Sequence, residues 1–227
     1  MNFIKKWIST LVSFVAGVCG LALSATVGMK ASALIDASAL QSALGTDPSQ
    51  KIKTTTKAYK VLTDSNLYTE AKELGIGSEF MVMKIFAIFT LIISVLLIAY
   101  AIVMILKNLN VIKFESKIFN IVGISLLALL VVATIGLLVS SNSYASAMEN
   151  ARKDATMADM KAMFTSGLTA MLTPMGMESM VEALVAQTAF SFNVGVGVYQ
   201  PAMLVISIIS ALVVGTFTFL NLRKKAD

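Results

Sequence analysis

Two long apolar runs in the middle of the chain constrain its fold more than any other feature. They cover Met81–Leu106 and Ile118–Val139, and an eleven-residue basic connector, Lys107–Lys117, joins them. Each run has at least the roughly 20 residues that an α-helix needs to cross about 30 Å of hydrocarbon. Neither carries the polar stripe that a helix on the surface of a soluble domain requires. The sequence therefore predicts a multi-pass membrane protein.

The composition indicates one membrane domain over the whole chain, 1–227. Hydrophobic residues make up 57% of the sequence and charged residues only 14%, against roughly 25% charged in soluble domains. We predict an all-α membrane protein with transmembrane helices at about 7–29, 81–106, 118–139 and 201–222. Between them lie two large loops, 30–80 and 140–200, for which we predict short amphipathic helices.

The distribution of charge predicts the orientation of these helices. The two ends and the central connector hold eight basic and two acidic residues, a net charge of +6. Loop 30–80 has a net charge of zero, and loop 140–200 has a net charge of −2. Because basic residues are enriched on the cytoplasmic side of membrane proteins, we expect both termini and the connector in the cytoplasm and both large loops outside. The basic residues are thus assigned to topology, and no nucleic-acid partner is predicted.

Residues that usually carry chemistry are scarce. The chain has no histidine and one cysteine, Cys19, which lies in the first apolar run. This rules out an intrachain disulfide, a histidine-based zinc site and a Ser-His-Asp triad. The centres of the four spans contain no Asp, Glu, Lys or Arg, which argues against an ion-coupled transporter. We therefore predict no enzymatic activity, no cofactor and no metal.

The first 33 residues have two interpretations. A basic start, an apolar segment and the sequence Ala31-Ser32-Ala33 are typical of a cleaved secretory signal peptide. The apolar run is nevertheless long enough to span a bilayer, and it carries a stripe of small residues spaced four apart: Ala16, Gly20, Ser24 and Gly28. A cleaved peptide needs no packing face, so we favour a retained helix. The basic flanks suit a bacterial cytoplasmic membrane.

A second stripe of small residues, Ser207, Ala211 and Gly215, lies on the last span. Small residues let transmembrane helices approach closely. We predict that the two terminal helices use these stripes to pack against each other or against a neighbouring subunit.

The large loops also contain helical patterns. Leu34, Leu40 and Leu44 predict that the first helix continues beyond the membrane until Asp47-Pro48 ends it. A second helix is predicted at about 66–74, between the candidate N-cap Ser65 and the stop signal Gly75. In loop 140–200, apolar residues continue at helical spacing to Met171, and Pro174 and Gly176 then break the pattern before a shorter amphipathic stretch.

Loop 140–200 is rich in methionine, with eight of the fourteen in the chain. Thioethers are soft ligands that suit Cu(I), but no cysteine or histidine accompanies them in this loop. Methionine is also an adaptable residue at apolar contacts, and we predict that role here. The predicted partner-contact residues are Met157, Met160, Phe164, Met171, Met177 and Met180.

The segment before the last span contains a possible pore loop, made of Asn193, Val194, Gly195, Val196 and Gly197. An amphipathic helix, a glycine-containing extended run and a descending span resemble the layout of the potassium-channel filter, whose carbonyl oxygens line the pore. Thr188-Ala189 before the run and Tyr199 after it add to the resemblance. The sequence departs from the filter motif at Asn193, where the filter has threonine, and at Val196, where it has tyrosine. The resemblance implies an ion channel or pore subunit as an alternative function.

The whole outline, four spans with a short inner connector and two large outer loops, resembles the tetraspan arrangement of claudins and tetraspanins. Their outer-loop cysteines are missing here, so the resemblance implies topology and no residue roles. We predict a non-enzymatic multi-pass membrane subunit that oligomerises or assembles with other membrane proteins. Its expected partners are the lipid bilayer, further copies of itself and other membrane proteins.

Overall fold

A computed structural model describes residues 2–36, 52–62, 64, 66–113 and 116–223 of the chain. Within these residues the chain forms six helices, a single 3₁₀ turn and three strands. The helices are α1 (Asn2–Thr26), α2 (Leu67–Glu73), α3 (Gly77–Asn108), α4 (Ser116–Leu172), α5 (Met180–Ala186) and α6 (Tyr199–Arg223). The strands are β1 (Gly28–Asp36), β2 (Ile52–Lys60) and β3 (Ala189–Val196), and the 3₁₀ turn is Thr173–Met175.

Four helices of the described part of the chain are long and apolar enough to cross a membrane: α1, α3, α4 and α6. Their most apolar windows have a mean hydropathy of 2.0 to 2.9. This confirms the prediction of a mainly helical, multi-pass membrane protein. The third span and the helical pattern that follows it form one continuous helix, because α4 runs for 57 residues until the turn at Pro174.

The two large loops contain a small sheet that the all-α prediction did not include, although the segment before the last span was predicted to be extended. Three strands form one sheet in the order β2-β1-β3. The expected continuation of the first helix is wrong over 28–36, because that segment is β1 and Leu34 lies within it. Met29, Ala31, Ala33 and Ile35 are buried alternately along β1, and this period of two is the signature of a strand. Leu40, Leu44, Asp47 and Pro48 lie outside the described residues.

The chain divides into two compact units, which are described separately. The bundle unit comprises Met1–Gly28, Lys60–Tyr144 and Val196–Asp227, and the sheet unit comprises Met29–Tyr59 and Ala145–Gly195. Helix α4 contributes its first half to the bundle unit and its second half to the sheet unit.

In the bundle unit, each of the four long helices runs antiparallel to its neighbours. The side-chain amide of Asn108, at the end of α3, donates to Thr10 Oγ1 near the start of α1 at 3.3 Å. The Thr134 and Ser207 hydroxyls pair at 3.1 Å between α4 and α6, and Gln200 donates to Ser141 Oγ at 3.3 Å between the same helices. These pairs place the start of α1, the α3–α4 connector and the end of α6 at one end of the bundle.

Glycine and asparagine end the helices where the backbone turns left-handed. Helix α2 stops before Gly75, at φ 75°, as the sequence predicted. Helix α3 stops in the same way before Asn110, at φ 62°, a conformation that asparagine tolerates better than most residues. The predicted N-cap Ser65 lies outside the described residues, and Asn66 occupies the N-cap position of α2.

The sheet unit is built from the sheet, the second half of α4 and the short helix α5. The rings of Phe164 on α4 and Phe190 on β3 pack edge to face, with centroids 5.8 Å apart. The Val194 N–H of β3 donates to Glu149 Oε2 of α4 at 3.1 Å. Helix α5 packs Val181 and Val185 against Leu168 of α4. The unit therefore has its own apolar core.

Candidate functional site

The small-residue stripe of α1 lies in the interior of the bundle unit. Ala16 and Ser24 are fully buried, and Gly20 is buried against α3 and α6. A Cβ atom on Gly20 would collide with Ser94 Oγ of α3 and would lie 3.3 Å from Met203 Cε of α6. The stripe therefore packs against two neighbouring helices of the same chain.

Gly17, which the stripe did not include, makes an even closer backbone approach to α3. A Cβ atom at this position would lie 3.0 Å from the carbonyl oxygen of Ser94 and 3.2 Å from the backbone nitrogen of Ile98. Sequence reasoning missed Gly17 because it does not belong to the four-residue repeat. Gly28, the last member of the predicted stripe, lies in β1, where its carbonyl oxygen accepts the Gly197 N–H at 3.2 Å.

The second stripe, on α6, is only partly used within the chain. Ser207 is fully buried and pairs with Thr134, while Ala211 is half-buried. A Cβ atom on Gly215 would meet nothing within 4 Å. The two stripes thus make different contacts. The stripe on α1 faces mainly α3, whereas Ser207, the first residue of the stripe on α6, faces α4.

Large side chains fill the interior between the four long helices. Those that are fully buried in the spans include Met83, Leu97, Leu127, Leu130 and Leu137. Several buried hydroxyls bond back to their own helix, as Ser24 does to the Gly20 carbonyl at 2.8 Å and Ser94 to the Thr90 carbonyl at 2.6 Å. Large apolar side chains and mostly hydrogen-bonded polar ones therefore occupy the interior between the described helices.

The residues of the predicted pore loop lie mostly in strand β3. One edge of β3 pairs with β1, the Val194 N–H is held by Glu149, and the Asn193 carbonyl accepts the Ser32 hydroxyl at 3.5 Å. Gly195 has open space around its Cα, and Gly197 is close to Gln200 and to the Gly28 carbonyl. A filter needs carbonyl groups free to face ions, so pairing in a sheet argues against that role.

The predicted partner-contact residues separate into a buried group and an exposed group. Met160 is buried, and Met157 and Phe164 are half-buried on the same side of α4. The other three are exposed, and Met163 and Met175, which sequence reasoning missed, are exposed with them. The exposed fractions are 76% for Met163, 64% for Met171, 67% for Met175, 37% for Met177 and 48% for Met180. We call these five residues the methionine surface.

The turn between α4 and α5 explains why these methionines face outward. After Leu172 the chain forms the 3₁₀ turn and then reverses at Gly176, whose φ is 68°. Leu168, Val181 and Val185 close the core beneath this corner. The helical period places Phe164 and Leu168 on that core, and the exposed methionines around the turn lie outside it.

The chemistry available at the methionine surface is apolar contact. Within the residues that the structure describes, His, Cys, Asp and Glu form no group of three that could hold a metal ion. Thioether side chains are flexible and polarisable, and they adapt to partners of different shape. The surface is therefore a candidate site for binding another protein.

No family model, curated protein or solved structure matches this chain.

Proposed function

We propose that this chain is a non-enzymatic membrane subunit that assembles with further copies of itself or with other membrane proteins. The bundle unit anchors the chain in lipid, and the sheet unit presents the methionine surface to the partner. The four apolar helices support the anchor, and the five exposed methionines support the contact role.

The observation that carries this proposal is the concentration of exposed methionines within eighteen residues, 163–180, of a folded unit. Fully burying a methionine side chain is worth about 1.5–3 kcal/mol. Soluble surfaces rarely leave such side chains clustered in contact with water unless another molecule covers them. A few well-placed side chains carry most of the affinity of a protein interface, so five suffice for a contact site.

The packed bundle interior and the pairing of β3 favour assembly over the channel alternative. The large buried side chains of the described spans and the pairing of one edge of β3 with β1 support this preference.

The proposal is tested by replacing two exposed methionines with a polar residue: Met171, near the end of α4, and Met175, in the 3₁₀ turn. We expect Met171→Ser with Met175→Ser to weaken assembly at least about tenfold, because each change removes roughly 1 kcal/mol or more of apolar burial. Assembly is measured by sedimentation velocity of detergent-solubilised protein over a range of concentrations and by chemical crosslinking in native membranes.

The matched control is Met171→Leu with Met175→Leu, which keeps the apolar area and should assemble like the original chain. An original chain that remains monomeric and crosslinks to nothing in its membrane contradicts the proposal. Unchanged assembly of the serine variant moves the contact away from the methionine surface.

We also propose that the bundle end that holds both termini and the connector faces the cytoplasm of a bacterial cell. The net charge of +6 on these segments supports this orientation. In a Cys19→Ser background, an impermeant maleimide should label Met175→Cys in intact cells and Asn110→Cys only after permeabilisation. Both positions are exposed in the structure, so labelling of both in intact cells would contradict the orientation.

A further inference from the structure

A groove runs between the two terminal helices of the bundle unit. Its volume is about 290 Å³, and Ser210 is its one polar lining residue. The other lining residues are aliphatic: Leu11, Val12 and Val15 on α1, and Ile206, Ile209 and Val213 on α6. The groove follows the helix axes, since its α6 wall covers about 10 Å of rise at 1.5 Å per residue.

The groove opens away from the bundle. Leu11, Val15 and Ile209 on its rims are each about half exposed, whereas Ser210 is buried. Because α1 and α6 are both long and apolar enough to cross a membrane, the exposed rims of the groove face lipid when the chain is embedded in one. An aliphatic channel that is narrow, elongated and open to lipid has the shape and chemistry of a binding site for a hydrocarbon chain.

One end of the groove leads toward the two helix ends that are basic in sequence. Gly20 meets Met203, while Leu11 and Val213 line the groove together, so α1 and α6 run antiparallel. Lys5 and Lys6 lie in the first five residues of α1, and Arg223 ends α6. Lys224 and Lys225 follow in the sequence, and Asp227 is the only acidic residue of these two termini.

The near end of the groove lies within about one leaflet's depth of the basic residues. Lys6 precedes Leu11 by five residues, or about 8 Å along the helix, and Arg223 follows Val213 by ten residues, or about 15 Å. One leaflet contributes about half of the roughly 30 Å hydrocarbon thickness. A lipid chain in the groove would therefore place its phosphate near the level of these basic residues.

We propose that this groove binds one acyl chain of an anionic phospholipid, whose phosphate lies at the level of the helix ends that carry Lys5, Lys6 and Arg223 in the sequence. Basic clusters beside transmembrane helices attract anionic head groups in this way. A helix of a second copy is a poorer occupant, because helices associate in lipid through small residues and this groove is lined by large branched ones. The site lies in the bundle unit and does not depend on the methionine surface.

Trp7 provides a built-in probe for this site. It is the only tryptophan of the chain, and it lies four residues before Leu11 on α1, so the two are neighbours on the helix surface. Lipids with brominated acyl chains quench tryptophan fluorescence on contact. The protein is reconstituted in phosphatidylcholine vesicles that contain brominated phosphatidylglycerol, and in matched vesicles whose bromines are on phosphatidylcholine instead.

We expect phosphatidylglycerol to occupy the site at least about fivefold more often than its share of the bilayer, because even one nearby basic residue contributes roughly fivefold. Val12→Phe with Val213→Phe fills the groove and should reduce this preference to about onefold. Lys5→Gln, Lys6→Gln and Arg223→Gln together should also remove the preference while leaving the groove intact. Ile92→Phe, on the exposed face of α3, should leave the preference unchanged.

Three results would overturn the proposal. Equal quenching by the two brominated lipids means that no anionic site is near Trp7. A preference that disappears in the charge variant but persists in the filled-groove variant shows attraction to the charged surface without a chain site. A preference lost equally in Ile92→Phe shows a general change in the bundle.

Discussion

Replacing Gly17 with leucine should destabilise the bundle by about 3 kcal/mol, because overpacking of a tight interior costs roughly 1–3 kcal/mol and sometimes more. The nearest obstacles to a side chain at Gly17 include backbone atoms of α3, the Ser94 carbonyl oxygen and the Ile98 nitrogen. Backbone atoms cannot move aside as a side chain can. Helix α1 must therefore separate from α3, which also weakens the Thr10–Asn108 hydrogen bond at 3.3 Å.

The matched control is Gly215→Leu on α6, where a Cβ atom would meet nothing within 4 Å. This change should be neutral or slightly stabilising, since leucine is a better helix former than glycine by up to about 1 kcal/mol. Unfolding of the purified protein in mixed micelles is followed by circular dichroism during titration with sodium dodecyl sulfate. A Gly17→Leu variant that unfolds no earlier than Gly215→Leu would refute the close α1–α3 contact.

The neighbouring glycine allows a sharper test of the same contact. A Cβ atom on Gly20 collides with a side-chain atom, Ser94 Oγ, and not with the backbone of α3. Ser94→Ala should therefore relieve most of the destabilisation caused by Gly20→Ala but little of that caused by Gly17→Leu. The coupling energy from the two double-mutant cycles distinguishes these cases.

Phe80→Ala should cost about 3–5 kcal/mol, the usual range for removing a buried phenylalanine. Phe80 is almost fully buried in the bundle unit. Its ring centroid lies 5.6 Å from that of Tyr144 on α4 and 6.0 Å from that of Tyr68 on α2. One side chain thus joins the first turn of α3 to two other helices, and its loss leaves a cavity shared by all three.

Phe89 on the same helix serves as the control, because its side chain is 38% exposed. We expect Phe89→Ala to cost no more than about 1 kcal/mol, in line with the small effects of most exposed positions. The comparison uses the same micellar unfolding titration, together with amide hydrogen exchange of residues 66–76. If exchange in α2 is unchanged in Phe80→Ala, Phe80 does not hold α2 on the bundle.

The transmembrane helices could be predicted from the sequence because lipid restricts which segments can cross a membrane. A span must satisfy all its backbone hydrogen bonds internally and present apolar side chains on most sides. Met81–Leu106 meets this requirement, and the structure extends it only to Gly77–Asn108. The stop signals Gly75 and Gly176 were also readable, because left-handed backbone at the end of a helix is a local property of glycine.

The strands were harder to predict. The alternation of Met29, Ala31, Ala33 and Ile35 along β1 is visible once the strand is known. In the sequence it competes with leucines at helical spacing, and alanine favours helix. A strand is stable only when its neighbours supply the hydrogen bonds, and β3 lies more than 150 residues further along the chain.

The candidate contact residues show the same division. Helical spacing placed Met157, Met160 and Phe164 on one face of α4, and the structure agrees that they share a side. Helical spacing alone could not show that this face is covered by the core, because the covering residues come from α5 and from β3. The exposed methionines therefore became recognisable only when the rest of the sheet unit was in place.

The sequence by itself determined that four segments are too apolar for water and belong in lipid. Its basic flanks also predict which end of the bundle faces the cytoplasm. Only the tertiary structure decided which glycines approach another helix, which methionines are exposed and where an aliphatic groove lies between α1 and α6. The reason is physical. Partition into lipid depends on composition within one segment, whereas close packing depends on side chains that distant segments bring to the same place.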